Sequence, residues 1–204
     1  MAPLAGSVLA AAVLLVVAGV AKLRDPASTR VALRGAGLPA GTVTARGLGA
    51  VELAIGGAAL VVGGPVATAG VAVAHLGFAG FSHRLHRASR GRADCGCFGR
   101  SSAPITRLHV WVNVAVAVAV ASTLADPVGG VADVVRHSPG RGVPLLALAG
   151  LQAWMVAVTL TVLPQVQAAV HARPPRTGTA RSAAPAAPAA PAAPVAGRTR
   201  AVAS

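Results

Sequence analysis

Five apolar runs, separated by stretches that hold nearly all of the charge, set the plan of this 204-residue chain. They cover residues 4–21, 45–62, 66–82, 108–125 and 143–163. A helix rises 1.5 Å per residue, so about 20 apolar residues cross ~30 Å of hydrocarbon. Each run is near that length and predicts a membrane-spanning helix. The second and third are separated by Gly63-Gly64-Pro65, a breaker cluster that predicts a tight turn and an antiparallel hairpin. Small residues at Gly49, Gly56, Gly57, Gly70, Gly77 and Gly80 predict close helix approach in lipid. After residue 163 the pattern changes. Pro174-Pro175 is followed by four Ala-Ala-Pro repeats from Ala183 to Pro194, with scattered arginines, which predicts a disordered, polyproline-like tail.

Composition turns the pattern into a class. Hydrophobic residues make up 54% of the chain and charged residues 11%, against about 25% charged in soluble domains. Such a chain cannot cover its surface with polar groups, and its setting is the lipid bilayer. The first run has no Lys or Arg before it, whereas Lys22 and Arg24 follow it. A secretory signal has the reverse polarity, so a retained helix is expected.

The formal net charge of +13 raises the question of nucleic acid. The charges lie in the loops and the tail, almost none of them inside the apolar runs, which is a membrane-protein distribution and excludes that reading. With five crossings, sixteen Lys and Arg fall on one side and two, Arg136 and Arg141, on the other. The positive-inside rule then predicts an N-terminus outside, with the C-terminus and the loop between runs three and four in the cytoplasm.

That loop carries both cysteines, Cys95 and Cys97, separated by Gly96 and flanked by Arg90, Arg92 and Arg100. Two thiols this close admit three readings: dithiol–disulfide exchange, half of a metal site, or inert loop residues. A one-residue spacer makes a tight bridge, which Gly96 eases, and a strained bridge is readily reduced. His86 and the arginines are candidates to stabilise a thiolate. A zinc site needs two further ligands, for which His83 and His86 are nearest in sequence, but the spacer is shorter than usual. Stable disulfides belong to oxidising compartments, so a cytoplasmic-face pair is expected to cycle and to receive or pass electrons.

Glu52 is the single Glu, inside the second run, where a carboxylate is costly and suggests function. Lys22 and Arg107 are its expected counter-charges. His109 and Asn113, four residues apart on one helix face, are expected to line the same polar pocket. His75 lies near mid-membrane. Asp25-Pro26 reads as a helix start, with Asp25 as N-cap, Pro26 in the first helical position, and a short interfacial helix over 28–35. No nucleotide loop, hydrolase elbow, paired catalytic carboxylates or zinc-protease helix is present, and no cofactor or resident metal is read from the sequence.

Ala21-Lys22-Leu23-Arg24-Asp25-Pro26, then Glu52, then Asp94-Cys95-Gly96-Cys97-Phe98-Gly99 resemble the MauE family. These are methylamine-utilisation membrane proteins related to the DoxX-like four-helix proteins. The resemblance covers about residues 4–125. It implies an all-α four-helix membrane bundle with a redox-associated or maturation role beside a thioredoxin-like thiol–disulfide partner. In methylamine-oxidising bacteria that role concerns the disulfide-rich small subunit of methylamine dehydrogenase. The expected plan is a family domain over 1–125, a loop and added fifth helix over 126–165, and a disordered tail over 166–204. Cys95 and Cys97 are the expected redox pair, with Glu52, Lys22, His109 and Asn113 as supporting polar groups. The rival readings are a scaffold or binding subunit whose cysteines only shape a loop, and a small-solute transporter built on Glu52 and His75.

Overall fold

The computed structural model describes residues 4–97, 103–137 and 139–171. Among them are seven helices: α1 (Ala5–Arg24), α2 (Ala27–Gly35), α3 (Thr42–Val61), α4 (Gly64–Ser89), α5 (Arg107–Ala121), α6 (Val131–His137) and α7 (Pro139–His171). The protein is an all-α membrane bundle. Helices α1, α3 and α4, together with the Gly140–Gln167 stretch of α7, are long and apolar enough to cross a membrane, whereas α5 is a shorter apolar helix.

Helix α1 is the centre, touching α3, α4, α5 and α7. Its alanine-rich sequence makes that possible: Ala10, Ala11 and Ala12 are all buried beside Leu9, Leu14 and Leu15. The α1–α3 seam is closer still. A Cβ on Gly49 would stand 2.8 Å from the Gly19 carbonyl oxygen, and one on Gly56 would stand 2.7 Å from that of Ala12. Backbone meets backbone here, as small residues permit in lipid. Helix α4 makes its main contact with α5. Helix α7 lays Ala149 and Ala153 against Leu9, Ala10 and Leu14.

The turn at Gly63 joins α3 and α4 as expected, with Gly63 also bridged to Gly129. The two helices nevertheless find their principal partners elsewhere and leave a cleft between them. Of the glycines expected to mediate close approach, Gly49 and Gly56 do so. Gly70 approaches the Ile55 side chain, while Gly57, Gly77 and Gly80 have nothing within 4 Å of a would-be Cβ.

Several boundaries differ from the hydropathy pattern. Helix α4 runs on to Ser89 because His83, Arg84, His86 and Arg87 mark the edge of the hydrocarbon, not the end of the helix. Helix α6 lies in the stretch expected as loop. Helix α7 begins at Pro139 and continues to His171, with Pro144 and Pro164 inside it. It therefore passes the expected start of the tail, and the Ala/Pro repeats lie outside the described residues.

Candidate functional site

The end of α1, all of α2, the start of α3, the end of α4 and the start of α5 gather at one end of the bundle. Contacts across this end fix the gathering: the Arg84 guanidinium Nε donates to the Ala36 carbonyl at 2.6 Å, and the His86 ring meets the Ile105 carbonyl at 3.3 Å. The cysteine loop closes over it. The Cys95 amide donates to Ala103 O at 2.9 Å and the Ile105 amide to Ala93 O at 2.8 Å, which pins both arms of the loop. Phe98, Gly99 and Arg100, part of the sequence motif, lie outside the described residues.

Gly96 sets how the loop lands. Its φ of +68° suits glycine, and a Cβ there would stand 2.8 Å from Ala32 Cβ and 2.9 Å from Ser28 O. The Thr29 hydroxyl donates to Gly96 O at 2.9 Å in a buried contact. Helix α2 is therefore the seat of the dithiol loop. It starts at Ala27, one residue later than Asp25-Pro26 suggests, with Pro26 as N-cap and Asp25 Oδ1 accepting from the Ala27 amide at 3.1 Å. Thr29 was not singled out in the sequence, where a lone Thr on a short helix carries no signal.

Beneath the loop is the ion pair of Lys22 and Glu52. Both residues are 2% exposed, and Nζ lies 2.7 Å from Oε2. Nζ also donates to Cys97 O at 3.3 Å and sits 5.4 Å from the centre of the Phe78 ring. Lys22 occupies the last turn of α1, where the helix dipole favours a cation. Arg107, the other expected counter-charge, instead lines a surface pocket with His83, His86 and Trp111. It starts α5 at the rim of the bundle, where its guanidinium stays with water.

Cys95 is buried in a small apolar cluster with Ala32, Ala36, Leu85 and Ile105, and Cys97 is half-buried against it. Both thiols are free. The two sulfurs share a hydrogen bond, and the Cys97 thiol also donates to Cys95 O at 3.7 Å. That sharing splits them. Cys95 is pushed well above the ordinary thiol range by its hydrogen bond to Cys97 and by burial. Cys97 is pulled down, first by the Cys95 hydrogen bond and further by the Lys22 ammonium, against its own burial. The cation that acts on Cys97 is thus Lys22, not the arginines or His86 expected from the sequence. Among the described residues, no three His, Cys, Asp or Glu converge as metal ligands.

On the other side of the thiols, His75, His109 and Asn113 line a cavity of about 30 Å³ that Cys95 and Cys97 also line. The Asn113 amide donates to His109 O at 2.7 Å, which turns its oxygen toward His75 Nδ1 at 3.0 Å. His75 Nδ1 donates to that oxygen, and Nε2 faces the Ala11 carbonyl at 3.5 Å. The Thr106 amide donates to His109 Nδ1 at 3.3 Å, leaving the other ring nitrogen as the donor. Its partner is the Leu160 carbonyl of α7. Pro164, four residues on, has no N–H to offer that carbonyl, so Leu160 O is left open for the ring. The Leu160/Pro164 spacing was the available sequence signal for this contact. His109 and Asn113 do share a pocket, as expected, but Glu52 is not in it: Glu52 lines the separate α3–α4 cleft. The dithiol stands between the two compartments and lines both.

The family model for Methylamine utilisation protein MauE matches residues 1–126. No curated protein and no solved structure matches the chain.

Proposed function

The chain belongs to the MauE family, and from that premise we propose that it is a membrane dithiol oxidant that assists disulfide formation in a partner protein, as in maturation of a methylamine-utilisation type of enzyme. The observation that carries the reading is the unequal thiol pair, buried Cys95 and half-buried Cys97, seated by Gly96 on α2 above the Lys22 ammonium.

Stabilising one thiolate of a reduced pair favours the reduced form and makes the disulfide form oxidising. In the forward step a thiolate of the partner attacks Cys97 Sγ of the Cys95–Cys97 disulfide. The S–S bond breaks, Cys95 leaves and takes a proton, and a mixed disulfide forms. A second partner thiol, losing its proton, attacks the mixed disulfide and expels the Cys97 thiolate. Two electrons have passed to the pair and the partner holds a new disulfide. A thioredoxin-like protein suits this exchange by its own two-cysteine chemistry. Glu52 holds Lys22 beneath the sulfurs, and its own negative charge opposes ionisation of Cys97. The excess of Lys and Arg at this end supports a cytoplasmic location for it.

The test uses the full chain in detergent, oxidised, with reduced thioredoxin as probe. One chain is expected to oxidise one thioredoxin, and the Cys95→Ser/Cys97→Ser variant none. With a single-cysteine thioredoxin activated as a mixed disulfide, Cys95→Ala is expected to cross-link through Cys97 at least about tenfold faster than Cys97→Ala does through Cys95. Equal rates, or oxidation by the double variant, would sink the proposal.

A further inference from the structure

The cleft between α3 and α4 has a volume of about 400 Å³, within the range of small-molecule sites. Its walls are apolar: Val51 and Ile55 from α3, Val73 and Phe81 from α4. Its floor is Lys22, Glu52, Cys95 and Cys97. Val51 is 54% and Val73 67% exposed, and both lie well inside spanning helices. The mouth is therefore framed by side chains at hydrocarbon depth and opens sideways to lipid.

One atom on the floor is unaccounted for. Glu52 Oε2 binds Lys22, but Oε1 is buried with no hydrogen-bond partner among the described residues. A buried carboxylate oxygen without a donor is costly. It marks a place where a ligand O–H belongs.

From these features we propose that the cleft binds a lipid-soluble quinone, which takes the two electrons that the reduced Cys95/Cys97 pair has received. The inference rests on the dithiol reading and supplies its electron sink. An acyl chain fills the walls but offers nothing to Oε1. A quinol hydroxyl donates to Oε1, and the Lys22 ammonium stands beside the position of a quinone carbonyl. The ring lies over the thiols, and its apolar tail leaves between Val51 and Val73. The reaction balances within the site: Cys95–SH plus Cys97–SH plus quinone gives the Cys95–Cys97 disulfide plus quinol. Two S–H bonds break, one S–S bond forms, and both electrons and both protons go to the ring oxygens.

Gly77 provides a plug that touches neither the thiols nor the ion pair. It lines the cleft, and a Cβ on it meets nothing within 4 Å. The test takes the reduced full chain in lipid nanodiscs, adds decyl-ubiquinone, and follows quinol absorbance and thiol loss together. The expected result is saturable quinol formation with two thiols lost per quinol. Gly77→Leu should raise the quinone KM at least about tenfold, with Gly77→Ala near wild type, while both oxidise reduced thioredoxin at the wild-type rate. Glu52→Gln should instead slow quinol formation at saturating quinone, since the carboxylate oxygen accepts from the quinol hydroxyl and not from the quinone. Thioredoxin oxidation with no quinol formation, with bound phospholipid in the cleft, or with an unchanged KM in Gly77→Leu would overturn the quinone site and leave the dithiol function standing. Quinol formation without any exchange with thioredoxin would support the site and remove the proposed function.

Discussion

Helix α3 has two faces that could hardly differ more. Toward α1 it presents Gly49 and Gly56, where added Cβ atoms would meet backbone oxygens within 3 Å. Toward α4 it presents Val51 and Ile55 across an open cleft. Both faces are built of small and apolar residues in a bilayer setting, where dispersion and polar contacts do the work of association. The difference teaches that glycine content alone does not say where helices close. The seam closes because its glycines face each other and because Lys22 at one end ties α1 to Glu52 of α3. The α4 side has no such tie: Gly77 and Gly80 face open space, and α4 is held by α5.

Cutting the Lys22–Glu52 tie should have the greatest effect on the seam. Lys22→Met leaves a buried carboxylate unpaired and is expected to destabilise the bundle by about 3–5 kcal/mol, whereas Lys22→Met with Glu52→Leu should recover most of that. Unfolding by denaturing detergent on both variants checks it. The absence of recovery in the double variant would mean that the pair is not what closes the seam.

The next effect is steric. Gly49→Leu should cost about 3 kcal/mol, the upper part of the overpacking range, while Gly77→Leu on the cleft side should stay within about 0.5 kcal/mol or gain slightly from helix propensity. Thermal unfolding of the two variants side by side measures both losses. Equal losses would mean that the cleft is not open.

A smaller effect concerns the thiols above the seam. Alkylation of Cys97 by iodoacetamide should titrate below the ~8.5 of an ordinary thiol. Cys95→Ala removes the hydrogen bond that pulls Cys97 down, so the profile should move to higher pH, reducing the reactive fraction at neutral pH. A shift to lower pH would contradict the geometry. The smallest effect is at α7. Pro164→Ala supplies an N–H that competes with His109 for Leu160 O, and a double-mutant cycle with His109→Leu should give a coupling of about 1 kcal/mol.

Much of this was legible in the chain. Four of the five apolar runs correspond to helices long and apolar enough to span, because hydrocarbon thickness constrains length, whereas the fourth run forms the shorter α5. The lone Glu52 pointed to Lys22 because a carboxylate at that depth needs a cation. Cys95-Gly96-Cys97 advertised itself by spacing. What could not be read is tertiary. Nothing in the sequence says that Gly96 lands on Ser28 and Ala32, that Arg107 turns to the rim, or that Leu160 completes His109. Those follow from how α2, α5 and α7 are carried by their neighbours. The α3–α4 cleft was illegible for the same reason: a turn at Gly63 predicts adjacency but not contact.

The most direct measurement is the redox equilibrium of the thiol pair in the full chain, poised in glutathione buffers and read by alkylation and intact mass. The thiolate stabilisation at Cys97 predicts one two-electron transition linking Cys95 to Cys97, at a potential more positive than the about −270 mV of thioredoxin. Two thiols that alkylate independently at every poise, or a bridge that resists reduction below about −300 mV as a structural disulfide does, would contradict it.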